Sequence, residues 1–438
     1  MFDKTSSYSI SRLVKNKSIQ NFIFLGLIQS SNILISLISM PLLIQSIGID
    51  QFGLVNLALS VIILANYFVD FGFSISGPRE VAINYKNKEV LSVLFSEILF
   101  SRVVFAFFSM LAIFSLVWIF DLFYEYQTIL VFSTVILFSE ALLPLWFFQG
   151  LEKLKFISIA NIFGKLLFLL GIVLFIHDPK HSIWVNFMLG VSTLGVNLLL
   201  LLYIHYTMDI KFFSPPFQSV FQNIIKNVYL FLSNLASYIS VKGGILILSF
   251  YSTAELLGMY SVAERPVVVL RIFPAMVVQA IYPKASRLYL EDQSACFSYI
   301  RKSYFLCLSG GFIISLMAYV LAPFIVFLLA KQELKEAVEF LKVMSFIPFL
   351  ACLNIVNVLI FFIKSENKLL LNTTLAMALF MVVSSTALIH QIGEMGVAYA
   401  LLLTELFIFV LGTLVNYIKN RSFVDGIFKF SGSSNSHS

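Results

Sequence analysis

The sequence predicts an all-α polytopic membrane protein, and three observations support this fold class. Of the 438 residues, 59% are hydrophobic and 12% are charged, and the mean hydropathy is +0.94, whereas soluble domains have roughly 25% charged residues. A helix needs about 20 apolar residues to cross a bilayer, and stretches of this length recur along the whole chain. The segments between them are short, so none has room for a soluble catalytic domain.

Twelve stretches are predicted to be transmembrane helices, which we call spans 1 to 12. They are 20–45, 53–76, 91–119, 128–149, 157–177 and 184–206, followed by 228–250, 258–282, 303–329, 340–363, 369–390 and 396–418. The longest connection, 207–227, contains Pro215-Pro216 and would join two six-helix lobes. The predicted domains are an N-terminal segment (1–19), an N-lobe (20–206), a linker (207–227), a C-lobe (228–418) and a tail (419–438).

The distribution of lysine and arginine predicts the orientation. If the N-terminus is cytoplasmic, twenty of these residues lie in cytoplasmic segments, and the opposite side holds only Lys180, Lys331 and Lys335, with Lys342 near that edge. The positive-inside rule therefore places both termini in the cytoplasm. The net charge of +6 is a topology signal and does not indicate nucleic-acid binding.

Residues that usually hold metals or form disulfides are few and scattered. Cys296 lies in a predicted cytoplasmic loop, and Cys307 and Cys352 lie in apolar spans. His177 and His181 are explained better by a solvated loop than by a ligand pair. We expect no disulfide, metal or cofactor and no cleavable signal peptide, and we expect disorder in the tail at 431–438.

Matching stretches in the two halves of the chain predict an internal repeat. Residues 52–58 resemble 257–263, and the same offset of 205 carries Pro78 onto Pro283. The stretch from Phe147 to Glu152 matches that from Phe361 to Glu366 at an offset of 214. These matches occur in order, so they predict two repeats of six helices with the same orientation. Such repeats are related by an axis along the membrane normal, with a cavity between them that suits alternating access.

Five cationic residues lie within predicted spans: Arg102, Lys165, Lys242, Arg265 and Arg271. A charge at the centre of a membrane helix costs about 2.5–3.5 kcal/mol and usually faces a cavity or a partner. Lys165 and Arg265 are shallower, so snorkelling to the interface explains them equally well. An excess of such cations over deep acids favours an anionic substrate, and phosphate in particular.

Polar faces on spans 1 and 8 are further candidates for substrate binding. Glu264 and Arg271 lie on one face of span 8, whose prolines favour bends; they either line a cavity or form structural pairs with neighbouring helices. In span 1, Gln29 and Asn32 begin a polar stripe, which suits either sugar hydroxyls or contacts between helices. Asp70, Glu140, Glu264 and Glu405 are candidates for coupling to protons or sodium, and Glu140 and Glu405 lie deepest.

Four stretches together resemble bacterial polysaccharide flippases, the exporters of O-antigen repeat units. "PLWFFQGLEKLKFISIANIFGK" (144–165) resembles the family's signature around the fourth span, and "IGIDQFGLVNLALSV" (47–61) resembles its first outer loop and following helix. "DFGFSISGPREVA" (70–82) and "QAIYPKASRL" (279–288) resemble the ends of its second and eighth helices.

This resemblance implies the fold of multidrug-and-toxin-extrusion transporters, with twelve helices in two six-helix lobes. It also implies the movement of an oligosaccharide, linked through pyrophosphate to undecaprenol, across the bacterial inner membrane. The implied partners are the lipid-linked oligosaccharide, a proton or sodium gradient, membrane lipid, and the polysaccharide polymerase with its chain-length machinery. Gln149 and Glu152 would form a gate at the foot of span 4, although Lys153 and Lys155 are explained as positive-inside anchors and Gly150 as a helix cap.

Four competing functions fit the sequence less well. An ion-coupled multidrug exporter for cationic drugs should have more deep acids than bases, and the reverse is seen. A peptidoglycan-precursor flippase generally has fourteen spans. An enzyme such as a polymerase or ligase would need a large outer loop, so we expect no enzymatic activity. A lipid-scrambling scaffold would not need cations within its spans.

Overall fold

In the computed structural model, the apolar stretches of the sequence fold into α-helices. The structure describes residues 17–119, 124–364 and 366–428, and no part of these ranges forms a β-strand. Residues 1–16 of the predicted N-terminal segment and 429–438, which include the predicted disordered tail, lie outside the described residues.

The helices form two compact units, one up to Leu235 and one from Ala236. The first unit contains α1 (Lys17–Asp70), α2 (Phe73–Ile83), α3 (Lys88–Trp118), α4 (Gln127–Ser133), α5 (Val135–Ala141), α6 (Leu145–Gly150), α7 (Leu154–Phe175) and α8 (Ser182–Thr207). Helix α9 (Phe217–Lys242) begins in the first unit and ends in the second. The second unit continues with α10 (Gly244–Leu248), α11 (Ala254–Leu270), α12 (Ile272–Glu291), α13 (Gln293–Val320), α14 (Ala322–Ala330), α15 (Lys335–Met344), α16 (Ile347–Leu353), α17 (Ile355–Ile363), α18 (Asn367–Ile392), α19 (Gly396–Lys419) and α20 (Arg421–Phe428).

Ten helical stretches of the described chain are long and apolar enough to cross a membrane. Phe24–Ile83 has 60 residues and Lys368–Lys419 has 52, so each has room for two crossings, since 20 helical residues extend about 30 Å. Gly48 interrupts α1 with a φ of 83°, and Gly393 separates α18 from α19 with a φ of 71°. The described helices therefore correspond to the twelve predicted spans, and the predicted fold class is confirmed.

Several of these spans are broken within the apolar region, among them spans 4, 8 and 10. Span 4 consists of α4, α5 and α6, and span 10 consists of α15, α16 and α17. Span 8 is interrupted at Arg271, where α11 ends and α12 begins. Irregular backbone at membrane depth is tolerated only where it is buried in protein or lines a cavity. The breaks at Leu143, Arg271 and Asn354 line the two cavities described below.

Helical structure extends into segments that the sequence predicts as linker and tail. Within the predicted linker 207–227, α9 already begins at Phe217. Its apolar residues, including the buried Val220, recur every three to four positions between polar ones, a pattern that lowers its mean hydropathy. The predicted tail begins with α20, whose Phe423 and Ile427 are buried in the second unit.

The aromatic block of span 4 lies in the core of the first unit. Trp146, Phe147 and Phe148 are at most 3% exposed. The ring of Phe95 on α3 lies 5.3 Å from that of Trp146 and 5.0 Å from that of Phe147. These contacts hold the short helix α6 against α2 and α3, which positions the polar residues beside it.

Candidate functional site

A polar cavity of about 360 Å³ lies in the first unit, beside the break between α5 and α6. The predicted site residues among its lining are Asp70, Arg102, Glu140 and Gln149. Asn66, Tyr67, Ser74 and Asn234 are further polar residues of the lining. The fold therefore brings together one predicted substrate-binding cation, two predicted coupling acids and one predicted gate residue.

Arg102 is held by two groups that the helix ends supply. Its Nη2 lies 3.8 Å from Asp70 Oδ1, and its Nη1 donates a hydrogen bond of 2.9 Å to the Leu143 carbonyl oxygen at the break before Pro144. Asp70, at the end of α1, also accepts a hydrogen bond of 2.7 Å from Ser74 Oγ on α2. Only 6% of the Arg102 side chain is exposed, so the pairing compensates for burying its charge.

Glu140 is the second acid of this cavity. It lies near the break at the end of α5, and both Arg102 and Lys165 are close enough to interact with it electrostatically. The cavity can therefore accommodate charges of both signs. Separately, the described part of the chain contains no cluster of three or more His, Cys, Asp or Glu residues that could hold a metal ion.

A second polar cavity, of about 460 Å³, lies in the second unit. Its lining includes Arg271 and Glu405, which form an ion pair between the α11–α12 break and α19. Glu405 is 3% exposed and Arg271 is 19% exposed at the side chain. A predicted substrate-binding cation and a predicted coupling acid thus neutralise each other.

A chain of amide side chains borders this second cavity. At its end, Asn357 Nδ2 lies 3.2 Å from Thr413 Oγ1 and Asn357 Oδ1 accepts from Asn416 Nδ2 at 3.1 Å. Asn420 Nδ2 in turn lies 3.2 Å from Asn416 Oδ1 and 3.0 Å from Glu366 Oε2. Sequence reasoning missed these residues. The sequence feature that could have identified them is the spacing of Asn416 and Asn420, which lie four residues apart at the end of an apolar span.

The other predicted binding residues lie outside the linings of both cavities. Lys242 Nζ lies 3.9 Å from Glu264 Oε2, and Arg265 interacts electrostatically with Glu264. Glu264 and Arg271 are therefore not partners of each other; each pairs with a residue of another helix. On α1, Gln29 is exposed, and Asn32 Oδ1 is buried without a hydrogen-bond partner among the described residues.

The two predicted gate residues differ in their surroundings. Gln149 is exposed beside the first cavity, whereas Glu152 lies outside its lining and has a left-handed φ of 54°. Explaining Gly150 as a left-handed helix cap is wrong, because that conformation occurs at Glu152. Gly150 is needed for close packing, since a Cβ there would lie 2.6 Å from both the Pro78 carbonyl oxygen and Val81 Cβ.

The two cavities occupy equivalent positions of the predicted internal repeat. With the offsets found in the sequence, the paired lining residues are Asn66 and Arg271, Asp70 and Ala275, Ser74 and Gln279, Glu140 and Asn354, and Leu143 and Asn357. Spans 4 and 10, which provide the last two pairs, are both broken into three helices. The two acids of the first cavity are thus replaced by uncharged residues in the second.

Comparison with known proteins gives a consistent result. Residues 18–289 match the model of a family described as "Polysaccharide biosynthesis protein". A protein of Escherichia coli (strain K12) named "Putative O-antigen transporter" is 23% identical over 406 residues, which cover 92% of this chain and 97% of that protein. A protein of the same name from Shigella dysenteriae is 21% identical over 395 residues, covering 89% and 97% of the two chains.

Solved structures of MATE transporters share the fold. An inward-facing multidrug-resistance MATE transporter of the MOP superfamily has a TM-score of 0.68 at 14% identity, covering 89% of this chain and 99% of its own. A eukaryotic MATE transporter has a TM-score of 0.64 at 14% identity, covering 94% and 99%. The likeness that the sequence motifs predicted, in fold and in family, is thus confirmed.

Proposed function

Because the chain belongs to the polysaccharide biosynthesis protein family, we propose that it is a flippase for lipid-linked oligosaccharides. It moves a repeat unit, linked through pyrophosphate to undecaprenol, from the cytoplasmic to the periplasmic leaflet of the bacterial inner membrane. The names of its relatives support the substrate class. The main support for the proposal is that each unit contains a polar cavity, at an equivalent position of the predicted repeat. Each cavity lies beside a broken span and contains a largely buried arginine–carboxylate pair.

The buried pairs suggest how an anionic headgroup and an ion gradient are linked. Arg102 and Arg271 are each neutralised by a carboxylate, Asp70 or Glu405. In the first cavity, a proton or sodium ion taken up by Asp70 weakens the pair and leaves the Arg102 guanidinium available for pyrophosphate, to which it can donate two parallel hydrogen bonds. Release of the ion restores the pair and expels the headgroup. Alternating access then requires only that the two events occur on opposite sides of the membrane.

The proposal includes the place of the protein in the cell. Both termini are cytoplasmic, and the polysaccharide polymerase with its chain-length machinery receives the translocated repeat unit. The protein itself carries out no bond-forming or bond-breaking step.

Deletion of the gene in the cells that encode it tests the function. We expect surface polysaccharide to disappear from a lipopolysaccharide gel and the lipid-linked repeat unit to accumulate inside, with both reversed by the wild-type gene. A polymerase would give a different result, because its loss leaves single repeat units on the surface. Cells that keep full-length surface polysaccharide after deletion contradict the proposal.

The alternative is an ion-coupled multidrug exporter of the same fold. The acids of the first cavity, Asp70 and Glu140, are the observation that favours it, because they could bind a cationic drug. This alternative predicts that the deletion strain becomes sensitive to cationic dyes while its surface polysaccharide stays intact. Measuring the inhibitory concentrations of such dyes in the same strains decides between the two functions.

A further inference from the structure

The cavity of the second unit is electrically balanced although it contains an arginine. Arg271 is paired with Glu405, and the positions of Asp70 and Glu140 in the first cavity are held here by Ala275 and Asn354. With no net charge among these groups, the resting cavity offers an anion little attraction. Its remaining polar groups determine what it can bind.

Most of these polar groups are hydrogen-bond acceptors. Asn354 Nδ2 donates to the Glu405 carbonyl oxygen at 3.3 Å, which fixes the orientation of the amide. Asn354 Oδ1 is buried and has no hydrogen-bond partner among the described residues. Thr373 and Thr374 donate their hydroxyl hydrogens to backbone carbonyls of α18, at 2.9 and 2.8 Å. Toward a ligand, their oxygens can therefore act only as hydrogen-bond acceptors.

A ligand for this cavity must supply donors and an apolar surface. Phe361 and Phe362 belong to the lining, and Gln279 adds an exposed amide. Sugars combine many O–H donors with apolar ring faces. The volume of about 460 Å³ lies within the roughly 300–1,000 Å³ of ligand pockets.

We propose that this cavity is a subsite for uncharged sugar residues of the transported oligosaccharide. Asn354 Oδ1 and the Thr373 hydroxyl oxygen accept hydrogen bonds from sugar hydroxyl or acetamido N–H groups. The subsite thus recognises the glycan, while the pyrophosphate is held by other groups. This inference rests on the proposed function.

Hydrogen bonds to neighbouring side chains fix polar groups of the subsite before the ligand binds. Asn357, which also lines the cavity, is fixed by Thr413 and by the amide chain through Asn416 and Asn420. The chain ends at Glu366, beside the start of α18. Preorganised polar groups lose less conformational entropy when a ligand binds.

The test compares two valine variants of α18 in the purified full-length protein. Thr373→Val removes a lining hydroxyl with little change in shape. Thr386→Val is the matched control, since Thr386 makes the same kind of backbone hydrogen bond, to the Val382 carbonyl at 3.0 Å, outside the cavity lining. The probe is the repeat-unit oligosaccharide released from its lipid carrier. We expect Thr373→Val to raise its Kd about tenfold, the effect of one lost hydrogen bond, and the control to leave it unchanged.

Asn354→Leu provides an independent variant, and inorganic pyrophosphate a second probe. We expect this variant to weaken binding of the oligosaccharide at least tenfold and to leave the Kd for pyrophosphate within twofold of wild type. Unchanged oligosaccharide binding in both Thr373→Val and Asn354→Leu overturns the subsite. A sodium-dependent stabilisation that Asn354→Leu abolishes also overturns it, because the cavity is then a cation site.

Translocation in proteoliposomes separates this inference from the proposed function. If wild-type protein fails to move the lipid-linked oligosaccharide, the proposed function is wrong. If wild-type protein moves it and both cavity variants move it equally fast, only the sugar subsite is wrong.

Discussion

Individual charged residues inside the membrane are stabilised by partners from other helices. Such pairs include Arg102 with Asp70, Lys242 with Glu264, and Arg271 with Glu405. Removing one partner of a buried pair leaves the other charge uncompensated, which costs about 3–5 kcal/mol. A loss of transport in a single variant therefore does not by itself separate a binding role from a structural one.

A double variant separates the two roles at Arg271. We expect Arg271→Met to lower the thermal unfolding midpoint, because Glu405 is 3% exposed and loses its cation. Adding Glu405→Gln should recover most of the stability, since the remaining amide is neutral. Surface polysaccharide, measured by gel at matched protein levels, should be lost in both variants.

The exposed pair of Lys88 and Asp209 is the control for this prediction. Its side chains are 62% and 69% exposed, and such surface pairs contribute at most about 1 kcal/mol. Lys88→Met should change neither the unfolding midpoint nor the polysaccharide. If the double variant transports normally, the ion pair is structural only.

At the residue scale, the sequence predicts which charges matter but not their partners. A lone arginine such as Arg271 stands out in an apolar span, so it can be found without a structure. Its pairing with Glu405 joins two distant spans and follows no local spacing. Asn354 gives an even weaker signal, because a single amide in a span is usually a contact between helices.

At the scale of helices, close packing explains part of the aromatic and glycine motif of span 4. Gly77 on α2 faces Trp146, with only 3.0 Å from a built Cβ to the indole ring. Gly150 on α6 faces Pro78 and Val81 on α2 even more closely. The two glycines let α2 and α6 approach each other, and this contact positions Gln149 beside the first cavity.

An alanine at Gly150 should therefore destabilise the protein. The new Cβ would lie 2.6 Å from the Pro78 carbonyl oxygen and 2.6 Å from Val81 Cβ, which cannot move away easily. Overpacking of this kind costs about 1–3 kcal/mol. Thermal unfolding in detergent should show a lower midpoint for Gly150→Ala.

Gly195→Ala is the matched control for this prediction. No atom lies within 4 Å of a Cβ built at Gly195 on α8. We expect an unchanged or slightly higher midpoint, because alanine favours a helix more than glycine does. Equal midpoints for the two variants would mean that the α2–α6 contact relaxes freely.

The sequence predicts the apolar helices well and their interruptions poorly. Hydropathy detects spans because a bilayer requires about 20 apolar residues. Pro144 marks the break before α6, but nothing in the local sequence marks Thr134, where α4 ends. An amphipathic helix such as α20 is overlooked for the opposite reason, since its polar face lowers the average hydropathy.

At the scale of the molecule, the two predicted repeats have similar construction and different chemistry. Equivalent positions line a cavity in each unit, with acids Asp70 and Glu140 in one and uncharged Ala275 and Asn354 in the other. Such a difference suits one cavity to an ion and the other to a neutral part of the substrate. The offsets of the repeat could be read from the sequence, whereas the cavities required the folded backbone.

The orientation of these repeats can be tested with cysteines at exposed positions. Arg79 and Lys284 are equivalent in the repeat and predicted to be cytoplasmic, while Lys180 and Lys335 are predicted to lie outside; all four are exposed. The native cysteines are buried and free, so the wild-type protein is the blank.

A membrane-impermeant maleimide applied to spheroplasts should label Lys180→Cys and Lys335→Cys at once. It should label Arg79→Cys and Lys284→Cys only after the membrane is permeabilised. If all four results are reversed, both termini are periplasmic, and the orientation predicted from the distribution of lysine and arginine is wrong. If Arg79→Cys and Lys284→Cys differ from each other, the repeats are inverted. Two cavities at equivalent positions would then lie at opposite depths of the membrane, and they could not share one direction of substrate entry.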